Sequence, residues 1–115
     1  MDSIPGQAFG GYLSLVYEPR TDRPYAEEVP RLLKERGMSI RALARIVGVT
    51  DAHLSRVLRH ADYKRASGAL AVRTAVAFGL SEAYFPEARE DAVIAAIKQS
   101  ARLRDDLFDD LQRRP

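Results

Sequence analysis

Four arginines (Arg41, Arg45, Arg56 and Arg59) lie in or beside the stretch Ser39–Leu58, and their chemistry is the most specific feature of the chain. A guanidinium carries a flat fork of N–H donors that matches the oxygens of phosphate and the Hoogsteen edge of guanine. The wider charge pattern agrees. Residues 31–73 contain ten Lys/Arg and three acids, a net of +7, whereas the other residues sum to −5 and the whole chain to +2. Positive charge gathered on one compact segment is the footprint of a phosphate-binding surface; the plainer reading is a solvated face rich in arginine. Catalytic chemistry finds little support. His53 and His60 stand seven apart with no carboxylate at a metal-ligand spacing, and the chain has no cysteine. No Gly-rich phosphate loop or motif-supported Ser/His/Asp set is present. An enzyme, a bound cofactor and a metal site are therefore not expected.

These side chains need a scaffold, and the local signals describe one. Ser39 and Thr50 are N-cap residues, each followed by an apolar-periodic run. The first run sets Leu43, Ala44 and Val47 on one side; the second sets Leu54, Val57 and Leu58 inward. Gly48 between them tolerates the positive φ of a tight turn. The spacing thus predicts two short helices joined at Gly48, with arginines on the outer face of the second. Such a pair is suited to bringing a helix into the major groove of DNA.

Further elements surround this pair. A helix is predicted over Tyr25–Arg36, with Thr21 or Asp22 as cap, Pro24 in the first turn, and Pro30 kinking or restarting it. Ser67 caps a helix through Phe78, with Leu70, Thr74, Ala77 and Phe78 inward, and Gly79 stops it. Tyr84 and Phe85 read as apolar plugs. A last helix is predicted from Glu87 to Gln112. Along it Val93, Ile97, Ser100, Arg104, Leu107 and Leu111 follow a heptad seam with two polar positions. Residues 1–24 read as an extension with a short helix from about Gln7 to Tyr17 or a short strand, then a loop. The segment His60–Ala66 reads as a polar connector, with Tyr63 packing on the domain rather than stacking on a base.

At 115 residues and 46% hydrophobic content, one compact core is expected. No apolar run approaches the roughly 18 residues of a membrane span. The N-terminus lacks the basic and apolar regions of a signal peptide, so a soluble cytoplasmic protein without membrane contact is the expectation.

Taken in order, Arg36-Gly37-Met38-Ser39, the Ser39–Leu58 stretch, and Ala77-Phe78-Gly79-Leu80 resemble the Cro/CI-type (XRE) family of helix-turn-helix regulators over about residues 26–86. A narrower resemblance, carried by Ser67-Gly68-Ala69, Ala83-Tyr84-Phe85 and the Tyr17–Tyr25 loop, is to EspR-type actinobacterial regulators. The resemblance implies an all-α chain built on a five-helix lambda-repressor-like domain. Residues 1–24 would be an extension, 25–86 the DNA-binding domain, and 87–115 a long C-terminal dimerisation helix.

The resemblance also implies site residues. The family's base-reading positions are occupied here by Asp51, Ala52, His53, Ser55 and Arg56. Arg56 suits bidentate recognition of guanine, Ala52 a thymine methyl, and His53 a base or a phosphate. Asp51 either accepts from cytosine N4 or, the favoured reading, stabilises the helix N-terminus. Phosphate contacts fall to Ser39, Arg41, Thr50, Arg59, Lys64 and Arg65. The glutamine common at the start of the family's first motif helix is replaced by Ile40, so Arg41 would take its phosphate. The expected function is a DNA-binding repressor acting as a homodimer on double-stranded DNA. The alternative is a protein-binding module, such as an antitoxin that neutralises a toxin partner.

Overall fold

The computed structural model describes residues 19–59 and 65–115, and it is all-helical, with six helices and no strand among those residues. They are α1 (Tyr25–Arg36), α2 (Ile40–Val47), α3 (Asp51–Arg59), α4 (Gly68–Ala77), α5 (Pro86–Gln99) and α6 (Ala101–Arg113). The expected helix or strand near residues 7–17, with Tyr63 and Lys64, lies outside the described residues.

The caps explain where the central helices begin and end. Ser39 is extended, and its Oγ accepts from the Ala42 N–H at 3.1 Å. Gly48 ends α2 at φ 80°, ψ 33°, its N–H returning to the Ala44 carbonyl. Thr50 Oγ1 then accepts from the His53 N–H at 3.0 Å, opening α3. Ser67 does the same for α4 through the Leu70 N–H. Each such cap contributes about 1 kcal/mol by satisfying an otherwise orphaned donor.

α1 packs on α3, α2 on both α3 and α4, and α4 on α5. Their shared core contains Tyr25, Val29, Leu43, Leu54, Val57, Ala71 and Phe85, each 2% exposed or less. Tyr84 and Phe85 plug it from the loop before α5, with the Phe85 ring 5.1 Å from Tyr25 and 5.0 Å from Tyr84. Gly68 is also buried, because the Asp91 carboxylate accepts its N–H at 2.7 Å and fills the space a side chain would need.

Four expectations need correction. Among the described residues, 25–86 hold four complete helices rather than five, because α5 begins only at Pro86. α1 has no side-chain cap from Thr21 or Asp22. Pro24 occupies the N-cap position, and the carboxylate of Glu87 accepts the Tyr25 N–H at 2.9 Å from across the fold. Pro30 does not restart the helix; α1 runs through it as one element, since Val29, Leu32 and Leu33 on its core side hold both halves in place. The single helix over Glu87–Gln112 is two helices. Ser100 is extended at φ −133°, ψ 104°, its N–H closing α5 on the Ile97 carbonyl and its Oγ opening α6 through the Leu103 N–H. A heptad pattern continues across this point in sequence, but a residue bonding both ways as C-cap and N-cap divides the seam.

Candidate nucleic-acid interface

The inner side of α3 is committed to the core by Leu54 and Val57. At 100° per residue this turns positions 52, 56 and 59 outward, and Ala52, Arg56 and Arg59 are all exposed. Asp51 is exposed at the first turn. His53 and Ser55 are half-buried and flank the outward stripe. Ser55 lines a depression of about 420 Å³ with Pro30, Leu33, Ile40, Leu58 and Arg59. Of the five base-reading candidates, Asp51, Ala52 and Arg56 therefore lie open to solvent, while His53 and Ser55 sit at the margins.

The phosphate candidates divide similarly. Ser39 and Thr50 have their side-chain oxygens engaged as caps, so what they offer a phosphate is the N-terminal end of α2 and of α3. Arg41 Nε lies 3.4 Å from Asp51 Oδ2, joining the first turns of α2 and α3. Both side chains are more than half exposed, so this pair contributes roughly 0–1 kcal/mol and an incoming phosphate can displace the carboxylate. The pairing also gives Asp51 a structural task in the free protein. Arg59 is exposed at the end of α3. Arg65 is turned to the domain: its guanidinium bonds the carbonyls of Ala66 and Glu87 and pairs with Glu90 at 2.7 Å and Asp91 at 3.5 Å.

Other arginines of the basic segment are likewise engaged internally. Arg31 pairs with Glu28 and Glu35. Arg36 donates to the Phe78 carbonyl and stacks over its ring, 5.3 Å from the centroid. Arg73 Nε donates to the Val47 carbonyl at 2.9 Å, closing the C-terminus of α2 beside the Gly48 turn. Among the described residues, Lys34, Arg45, Arg56 and Arg59 have no carboxylate within ion-pair distance. Among the described residues the cationic surface is thus smaller than the charge count implies, with Lys34 on α1 and Arg45, Arg56 and Arg59 on α2 and α3.

Two buried networks hold α1 behind this surface, and both escaped the sequence reading. Glu28, 2% exposed, accepts from Arg31 Nε and Nη2 and from the Tyr84 hydroxyl. The Arg31 guanidinium holds its carboxyl below the usual carboxylate range, against the opposing effect of burial. Tyr84 is pushed up by burial and by donating to that carboxylate. Tyr25 bonds Thr74 Oγ1 at 2.8 Å, and burial pushes its phenol up to about 12. The Glu28/Arg31 spacing of three is a local helix signal; Tyr84, 56 positions away, has none. Arg73 and Val47 are 26 apart and are equally silent in the sequence.

No family model, curated protein or solved structure matches the chain. No group of three His, Cys, Asp or Glu side chains is arranged to hold a metal ion among the described residues. No helix among them is long and apolar enough to cross a membrane.

Proposed function

We propose that the chain is a sequence-specific DNA-binding transcriptional regulator of the lambda-repressor-like helix-turn-helix class, a repressor that acts as a homodimer. Residues 50–59 would lie in the major groove. One observation carries the reading: α3 is pinned through Leu54 and Val57 and turns Ala52, Arg56 and Arg59 to solvent together. A helix fits the roughly 12 Å major groove, where Arg56 can fork to guanine O6 and N7 and Ala52 can meet a thymine methyl. Arg59 and Arg41 would take phosphates on either side, Arg41 exchanging Asp51 for the backbone.

The dimer is supported by α6, which contacts α5 but has no fully buried residue. Leu103, Leu107, Phe108 and Leu111 are all exposed on it. A helix of 13 residues with no fully buried side chain is marginal, so a partner surface would supply further contacts. Two copies would bind half-sites about 34 Å apart. The same stripe favours the second reading, a protein-binding module such as an antitoxin whose α6 seats on a toxin.

Selection of bound sequences from a random DNA pool tests the proposal. The expected outcome is an enriched palindrome with half-sites about one helical turn apart. Arg56→Ala should cost about 1–3 kcal/mol and relax one position of each half-site. A pool that shows no enrichment, with no salt-dependent binding to duplex DNA, would overturn it.

A further inference from the structure

We infer that the cavity where the N-termini of α1 and α5 meet is a binding site for a primary alkylammonium ion, the protonated form of a small aliphatic amine. The cavity holds about 350 Å³. Pro24, Ala26, Ala66 and Pro86 supply its apolar wall. Its charged groups are Asp22, Glu87, Glu90 and Arg65. A concave, partly apolar surface with a few converging polar groups is the usual form of a small-molecule site.

Glu87 separates this cavity from a merely solvated acidic corner. It is 6% exposed. Its Oε2 accepts the Tyr25 N–H at 2.9 Å and so closes the start of α1. Its Oε1 is buried and has no hydrogen-bond partner among the described residues. A carboxylate oxygen taken out of water and left unbonded is costly, and a donor that reaches it is held strongly.

The remaining charges select the sign and shape of the ligand. Three carboxylates line the cavity against one guanidinium, a net of −2. That guanidinium is already engaged: Arg65 pairs with Glu90 at 2.7 Å and Asp91 at 3.5 Å and bonds the carbonyls of Ala66 and Glu87. Asp22 is fully exposed and pairs only loosely with Arg89, at 3.9 Å. Among the described residues no three acids are arranged to hold a metal ion, which leaves an organic cation. An ammonium carries three N–H donors on a compact head, enough for Glu87 Oε1 and for an exposed carboxylate of Asp22 or Glu90. Its alkyl stem would lie against the two prolines and two alanines of the wall.

The test titrates the full-length protein with n-butylamine at neutral pH and constant ionic strength, with n-butanol as the uncharged control. Binding is followed by calorimetry and by the amide NMR shifts of Tyr25, Ala26 and Glu87. The expected result is saturable one-to-one binding of the amine in the roughly millimolar range, as suits so small a ligand, and none of the alcohol. Glu87→Gln keeps an oxygen for the Tyr25 N–H but removes the charge, and should weaken amine binding about ten-fold. Ala26→Leu fills the cavity from a half-buried position and should weaken it as much with Glu87 intact, so the test stands even if Glu87→Gln unfolds. Asp106→Asn removes an exposed negative charge on α6, outside the cavity, and should change nothing. Shifts that never saturate, equal binding of the alcohol, undiminished binding to Ala26→Leu, or an equal loss in Asp106→Asn would each overturn the inference. None of the lining residues belongs to α2 or α3, and DNA binding enters none of these readouts, so this inference and the proposed function fail separately.

Discussion

Arg59 and Arg65 are both arginines of the basic segment, yet the fold uses them differently, and replacing each with alanine should separate their roles. Arg59 is exposed at the end of α3 with no carboxylate partner among the described residues, whereas Arg65 bonds two carbonyls and two carboxylates at the α4–α5 junction. Each cation that neutralises a phosphate adds about 0.9 to the slope of log K against log salt. With Arg41 and Arg59 on phosphates, the slope should be about −1.8 per copy. Arg59→Ala should reduce it by about 0.9 per copy, so that the wild type loses roughly 3-fold more affinity per copy than the variant between 50 and 200 mM salt. Arg65→Ala should leave the slope unchanged. Its ion pairs are 43% exposed on the arginine side, so their loss with that of the carbonyl bonds should cost only about 1 kcal/mol, or about 4 °C in Tm. Fluorescence anisotropy with labelled duplex across a salt series, together with thermal unfolding, measures both effects. An unchanged slope for Arg59→Ala, or an equal fall for Arg65→Ala, would refute the assignment of the phosphate contacts to α2 and α3.

Other consequences follow from the same geometry. Glu28→Gln should destabilise the fold by about 2 kcal/mol, since the buried carboxylate accepts charge-assisted bonds from Arg31 as well as the Tyr84 hydroxyl. Because the folded Glu28 carboxyl titrates below its unfolded value, its stabilisation is complete above the unfolded value near 4.3 and disappears as pH falls through the lower folded one. Urea unfolding from pH 7 into the acid range should therefore show a steeper loss for the wild type than for Glu28→Gln. Gly48→Ala should cost about 1–2 kcal/mol in urea unfolding through the left-handed backbone alone, as an added Cβ meets nothing within 4 Å. Leu111→Asp should lower the light-scattering mass to that of a monomer while changing monomer stability by less than about 0.5 kcal/mol, because Leu111 is 59% exposed on α6.

The α2–turn–α3 unit was legible because its signals are local. Ser39, Gly48 and Thr50 act within four residues of themselves, and caps and left-handed turns are decided by the identity of the residue that occupies them. Period then distinguished Leu54 and Val57 from Ala52, Arg56 and Arg59. The break at Ser100 is hidden in the sequence because the heptad period runs through it. The serine that the heptad reading counted as a polar seam position is the same chemical signal that ended α2's predecessor loop at Ser39. The internal partners of Arg65 are hidden for another reason: nothing in its neighbours shows that Glu90 and Asp91 will meet it.

The sequence by itself determined the all-helical class, the bounds of the central helices and part of the core, Leu43, Leu54, Val57, Leu70 and Phe85 among it, since backbone hydrogen bonding and side-chain periodicity act over a few residues. Only the tertiary structure decided how the charges are spent. It committed Arg31, Arg36, Arg65 and Arg73 to carboxylates and helix ends, left Arg56 and Arg59 outward, and gave the N-terminus of α1 its partner in Glu87. An arginine side chain reaches several ångströms and finds whichever acceptor the packing brings near, and that acceptor is often tens of residues away along the chain.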